Sequence, residues 1–169
     1  PRPFFVYVPR APERFDTVAD LIAARGLCAL RRSAALGQDL TVTAATTGAD
    51  ILLGDSLGEM YFYLAMADRV IVGGGFTPQG AHNIIEPLAV RKPVIVGPEI
   101  WTIEYPALEA IAAGVCLHLQ TQADLDAALA PDAAFAPSED RIAAFVTAHS
   151  GATARTLAAL AALLPATRR

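Results

Sequence analysis

Apolar and polar positions alternate along the chain in two recurring patterns. Short, essentially unbroken apolar runs at 4–8, 27–30, 51–53, 69–72, 93–96 and 115–119 predict strands. Between them lie longer stretches with helical spacing. One covers 12–25 and is stopped by Gly26; one opens at 54–59 and runs to about Ala67. A short one opens between His82 and Glu86 and runs to about Val90, and another covers 102–113. Residues 34–48 are small and polar, which predicts a loop with a poor edge strand near 40–43. Ala-rich helical segments near 121–130, 138–149 and 151–164 close the chain. Unbroken apolar strands are those buried on both faces, and strand–helix alternation produces a parallel sheet with right-handed crossovers. The expected fold is therefore α/β, a Rossmann-like, doubly wound parallel sheet with extra C-terminal helices, with 1–169 as one domain. Ligands of such sheets bind beyond the carboxyl ends of the strands.

Composition narrows the function classes. Apolar residues make up 54% of the 169 and charged residues 18%, the balance of a chain that buries a core. A net charge of −4 gives no basic field to draw nucleic acid or anionic lipid. No apolar run approaches the ~20 residues that span a bilayer. The chain opens Pro1-Arg-Pro-Phe, with no Met and no signal-like segment, and enters a strand almost at once, so a soluble fragment of a longer protein is expected. The two cysteines, Cys28 and Cys116, lie in strand-like runs and are expected to be small buried hydrophobes; no metal-ligand spacing is present.

The candidate chemistry centres on Val72-Gly-Gly-Gly-Phe-Thr-Pro-Gln-Gly-Ala-His-Asn-Ile-Ile-Glu-Pro87. Glycines remove side chains where a ligand can approach the backbone. Pro87 lacks an N–H and is tolerated only in a helix's first turn, so a helix starts among His82–Glu86. A helix start offers unpaired N–H groups to an anion, and Glu86 can accept ribose hydroxyls. Asn83-x-x-Glu86 is equally a capping-box spacing that needs no ligand. The loop is neither a G-x-G-x-x-G fingerprint nor a P-loop. Ser56-Leu-Gly-Glu59 carries the same ambiguity: a capping box, yet at a strand's carboxyl end, where Ser56 can meet a phosphate or base. Arg10 after the first strand, and Arg31 and Arg32 after the second, are guanidinium clamps or solvated charges. His82 belongs beside the loop, whereas His118 and His149 read as structural. Glu13 and Asp16 read as a solvated helix face, and Trp101 as either a pocket rim or a core edge. No nucleophile–base pair and no general base stands out.

Taken in order, Val8-Pro-Arg-x-Pro-Glu-Arg14, Arg31-Arg-Ser33, Leu53-Gly-Asp-Ser-Leu-Gly-Glu59, Ala67-Asp-x-Val70, Gly73-Gly-Gly-x-x-Pro-x-Gly-x-His-Asn-x-x-Glu-Pro87 and Gly97-Pro98 resemble the C-terminal half of 3-deoxy-D-manno-octulosonic acid (Kdo) transferase, over about residues 4–120. The resemblance implies a GT-B glycosyltransferase of lipopolysaccharide assembly with two Rossmann-like domains. The C-terminal domain binds CMP-Kdo without a cofactor or metal. The other domain reaches lipid A precursor and the cytoplasmic face of the inner membrane, and carries the general base. Carried over, Arg10 contacts the donor phosphate; Gly74, Gly75, Pro78, Gly80, His82 and Asn83 embrace the nucleotide; and Glu86 holds the ribose. The chain departs from the family at Ala11 and Glu99, where His is usual, and at Ala81, where Gly is usual. These departures leave open a different sugar nucleotide, such as that of a UDP-sugar transferase or epimerase, or a binding module without enzymatic activity.

Overall fold

The computed structural model describes residues 3–43, 48–130 and 133–163. The chain divides into two compact units, 1–67 and 68–169. The first contains β1 (Phe5–Tyr7), a 3-10 turn (Pro12–Arg14), α1 (Phe15–Ala23), β2 (Ala29–Arg31), the single-turn α2 (Arg32–Ala35), β3 (Ile51–Leu53) and α3 (Met60–Met66). Its three strands are parallel in the order β1-β3-β2, with Phe5 and Ala29 both in register with Ile51. Val18 and Ile22 of α1 pack on Leu53, which is fully buried. Gly26 ends the helical segment at φ +71°, a conformation open to glycine.

The second unit contains β4 (Val70–Ile71), α4 (Ile85–Ala89), β5 (Val94–Val96), a 3-10 turn (Trp101–Ile103), α5 (Glu104–Ala112), β6 (Cys116–His118), α6 (Ala123–Leu129), α7 (Glu139–Ala148) and α8 (Ala152–Leu163). Its sheet is parallel in the order β4-β5-β6. Central β5 is buried at all three residues, which accounts for its unbroken Val-Ile-Val. Val94 and Val96 join Ile84, Leu88, Ala107, Ala110, Val115 and Ile142 in one core, while Ile95 packs with Leu119 and Ala128 in another. Ser138 caps α7 by accepting the Arg141 N–H, and Arg141 Nε donates to the Ala113 carbonyl at 2.6 Å, tying α7 to the end of α5.

The α/β class and parallel pairing are as expected, with local corrections. Strand β1 is an edge strand of its sheet, and Phe5 and Tyr7 are exposed instead of buried. The poor strand near 40–43 reduces to one antiparallel bridge, Leu36–Val42, and residues 44–47 of that predicted loop lie outside the described residues. Cys116 is buried, and burial pushes its thiol up to about 12; Cys28 is exposed and lies just before β2 instead of within it. No helix among the described residues is long and apolar enough to cross a membrane.

Candidate functional site

In the second unit the chain leaves β4 and folds 73–82 into a closed loop. His82 N–H donates to Gly73 O at 3.0 Å. Gly74 O accepts from both Thr77 N–H (3.0 Å) and Thr77 Oγ1 (2.8 Å). The segment after β5 braces this loop. Glu99 N–H donates to Gly75 O and Ala81 N–H to Glu99 O, each at 2.8 Å, and Thr102 Oγ1 donates to Ala81 O at 2.5 Å.

The three glycines do different work. A Cβ on Gly74, whose φ is +89°, would stand 2.2 Å from Gly80 O. One on Gly75 would stand 2.8 Å from Gly97 N, and one on Gly97 would stand 2.5 Å from both Gly75 C and Gly75 O. Those two segments therefore touch backbone to backbone, and glycine at 75 serves the fold. Gly80 (φ +82°) has the side chains of Thr102 and Trp101 where its Cβ would be. Gly73 is different: its nearest neighbour in that direction is His82 Cδ2, at 3.9 Å. Of the triplet, Gly73 is the position where a Cβ would meet nothing closer than an ordinary van der Waals contact. The run of three glycines does not distinguish it from the other two, so no sequence signal singled it out.

Pro78 and His82 of the loop, and Asn83 after it, are exposed. Asn83 Oδ1 accepts the Ile85 N–H at 2.8 Å, an Asx-type turn two residues on, in place of the capping box. Glu86 sits in the first turn of α4, half-buried, and its carboxylate makes no hydrogen bond or ion pair with any described residue. Pro87 is buried in that same turn. Ala81, the departure from Gly, is only 2% exposed and packs in the core. The side chains of Glu99 and Trp101 are exposed. His118 and His149 are structural: His118 Nε2 meets Pro98 O at 3.2 Å, and His149 Nδ1 meets Phe145 O at 2.9 Å while its ring stacks on Phe145.

In the first unit Arg10 is exposed after β1. Arg31 and Arg32 are engaged by carboxylates. Arg31 Nη2 donates to Asp16 Oδ1 at 2.6 Å, and its Nη1 lies 3.6 Å from Asp55 Oδ2. Asp16 is thus a partner, not merely a solvated face. Arg32 is 7% exposed; it donates to Leu36 O, Gly37 O and Glu59 Oε1. Glu59 also accepts from Ser56 Oγ, and Tyr63 OH lies 3.0 Å from that oxygen. The expected capping box at 56–59 is therefore not formed: α3 starts after Glu59, with no side-chain cap. The Ser56 hydrogen bond, helped by Arg32, holds the Glu59 carboxyl below its ordinary range. Among the described residues no group of three metal-ligating side chains comes together.

No family model matches the chain. It is 44% identical over 95% of its length to the 3-deoxy-D-manno-octulosonic acid transferase of Bordetella pertussis, and spans 37% of that relative. The enzyme of the same name from Haemophilus influenzae is 34% identical over 75% of the chain, which spans 28% of it. Among solved structures, the C-terminal CMP-Kdo binding domain of WaaA from Acinetobacter baumannii matches with a TM-score of 0.69 and 29% identity, covering 86% of this chain and 72% of that one.

Proposed function

This chain is a homologue of part of the Kdo transferases, and from that premise we propose that it binds the nucleotide-sugar donor, CMP-Kdo, for transfer of Kdo to lipid A precursor. The observation that carries the proposal is the half-buried Glu86 carboxylate, which has no described protein partner and sits in the first turn of α4. A carboxylate left that way is suited to accept two hydroxyl hydrogen bonds from a ribose. Gly74, Gly75, Pro78 and Gly80 shape the loop, His82 and Asn83 flank it, and exposed Gly73, where a side chain would meet no close contact, lets the ligand approach main chain. By the resemblance, Arg10 is further proposed as a phosphate contact and Ser56 as a ligand contact.

The reaction is a displacement at the donor's anomeric carbon with CMP leaving. Fixed N–H dipoles and a guanidinium stabilise the charge growing on the leaving phosphate without reorganising. The acceptor hydroxyl needs a base within hydrogen-bond reach, and we assign that base, the lipid acceptor and the contact with the inner membrane's cytoplasmic face to another part of the enzyme. The chain thus binds CMP and does not turn over by itself. Calorimetry should find CMP binding that weakens about 10–100-fold in Glu86→Ala, the loss of charge-assisted hydrogen bonds, with the thermal midpoint unchanged. Preference for a uridine nucleotide, or unchanged affinity in Glu86→Ala, would overturn this assignment.

A further inference from the structure

Helix α4 ends in a Schellman motif: Arg91 N–H donates to Leu88 O and Lys92 N–H to Pro87 O, each at 2.9 Å. The residue at the turn of that motif is left-handed, a place usually held by glycine because a Cβ is strained there. Here it is Arg91, with φ +62°. Both hydrogen bonds are made by main chain, so glycine would close the helix equally well with less strain. The Arg91 guanidinium makes no hydrogen bond or ion pair with any described residue. Strain that returns nothing to the fold marks a side chain kept for function.

That side chain lines a cavity of about 150 Å³ between α4 and α7, together with Leu88, Ala89, Ala143, Val146 and Thr147. All six residues belong to the second unit. Arg91 and Thr147 are exposed, Ala143 and Val146 half-buried, and Leu88 fully buried. We propose that this cavity is a binding site for a small carboxylate on an apolar stem. A guanidinium pairs with a carboxylate through two parallel N–H bonds, and the Thr147 hydroxyl can donate a third. The methyl groups of Leu88, Ala143 and Val146 suit the stem. At about 30 Å³ per water the cavity has room for about five waters, the size of a four-carbon acid. A phosphate dianion, which has no stem, leaves the apolar walls unused. The site is independent of the nucleotide reading, since Glu86 lies at the other end of α4.

Butyrate, its neutral isostere butyramide and inorganic phosphate are titrated at constant ionic strength into the ¹⁵N-labelled chain and into Arg91→Gly. Butyrate should shift the amides of 88–91 and 143–147, saturating on the order of millimolar. Butyramide and phosphate should bind about tenfold more weakly or not at all. Arg91→Gly should lose the butyrate shifts while its thermal midpoint rises by about 2–4 °C, the relief of the left-handed arginine. A residue serving the fold would move the midpoint the other way, so a lower midpoint or loss of folding in Arg91→Gly overturns the proposal. Equal binding of butyrate and butyramide, phosphate binding as tight as butyrate, or butyrate shifts that survive Arg91→Gly would each overturn it as well. CMP binding is unaffected by any of these outcomes, so failure here leaves the nucleotide reading standing.

Discussion

Adjacent alanine substitutions at Gly73 and Gly74 should have opposite consequences. Alanine at 74 must hold a positive φ, which costs an L-residue about 1–2 kcal/mol. Its methyl would also sit 2.2 Å from Gly80 O, so the loop has to move. Overpacking of that kind costs about 1–3 kcal/mol, for a total near ~3 kcal/mol. In a protein of this size that lowers the thermal midpoint by about 6–12 °C. Alanine at 73 meets its nearest atom at 3.9 Å, with no positive φ to maintain. It should leave the midpoint unchanged or raise it slightly, by about 0.4–1 kcal/mol of unfolded-state entropy. Its methyl nevertheless occupies the space through which the proposed ligand reaches main chain, and CMP affinity should fall about tenfold, or ~1.4 kcal/mol. Thermal melts and calorimetry on both variants give the answer. Equal destabilisation by the two alanines would show that the space before Gly73 is not open. Undiminished CMP binding by Gly73→Ala would show that the ligand lies elsewhere.

Other outcomes are expected from the same geometry. Thr102→Val removes the 2.5 Å bond to Ala81 O and should destabilise the loop by about 1 kcal/mol, with Thr102→Ser restoring both stability and CMP affinity. Because the folded Glu59 carboxyl is held below its ordinary range, its stabilisation is complete above that range and lost as pH falls through the folded value. The stability gap between the parent and Glu59→Gln should therefore be largest near neutrality and close in acid; a gap that widens on acidification refutes the pairing. At pH 8 a thiol reagent should modify one cysteine per native chain, exposed Cys28, and reach Cys116 only after denaturation.

The strands were legible because sheet burial writes itself locally. Ile51–Leu53 and Val94–Val96 are apolar throughout since both faces are covered. The local framework of the candidate site was legible: Glu86 and Pro87 do open a helix, and the glycines do form a closed loop after a strand. What escaped reading depends on partners far along the chain. Ser56-x-x-Glu59 has the spacing of a cap, but Arg32, 27 positions earlier, draws the glutamate away from the helix end. Gly75 looked like room for a ligand, yet its lack of a side chain answers to Gly97. Asn83 bonds two residues on instead of three, a difference no residue type encodes. Edge exposure of β1 is likewise a property of strand order, which its five apolar letters do not contain.

The contact of Gly75 with Gly97 means that the seam between the loop and the segment after β5 is made of peptide planes, with no side chain there to exchange. Randomising Gly75 or Gly97 would gain nothing, since every substituent but hydrogen wedges two segments apart. Libraries are better aimed at the exposed neighbours Glu99 and Trp101, where new functional groups can be introduced while the backbone seam is left intact.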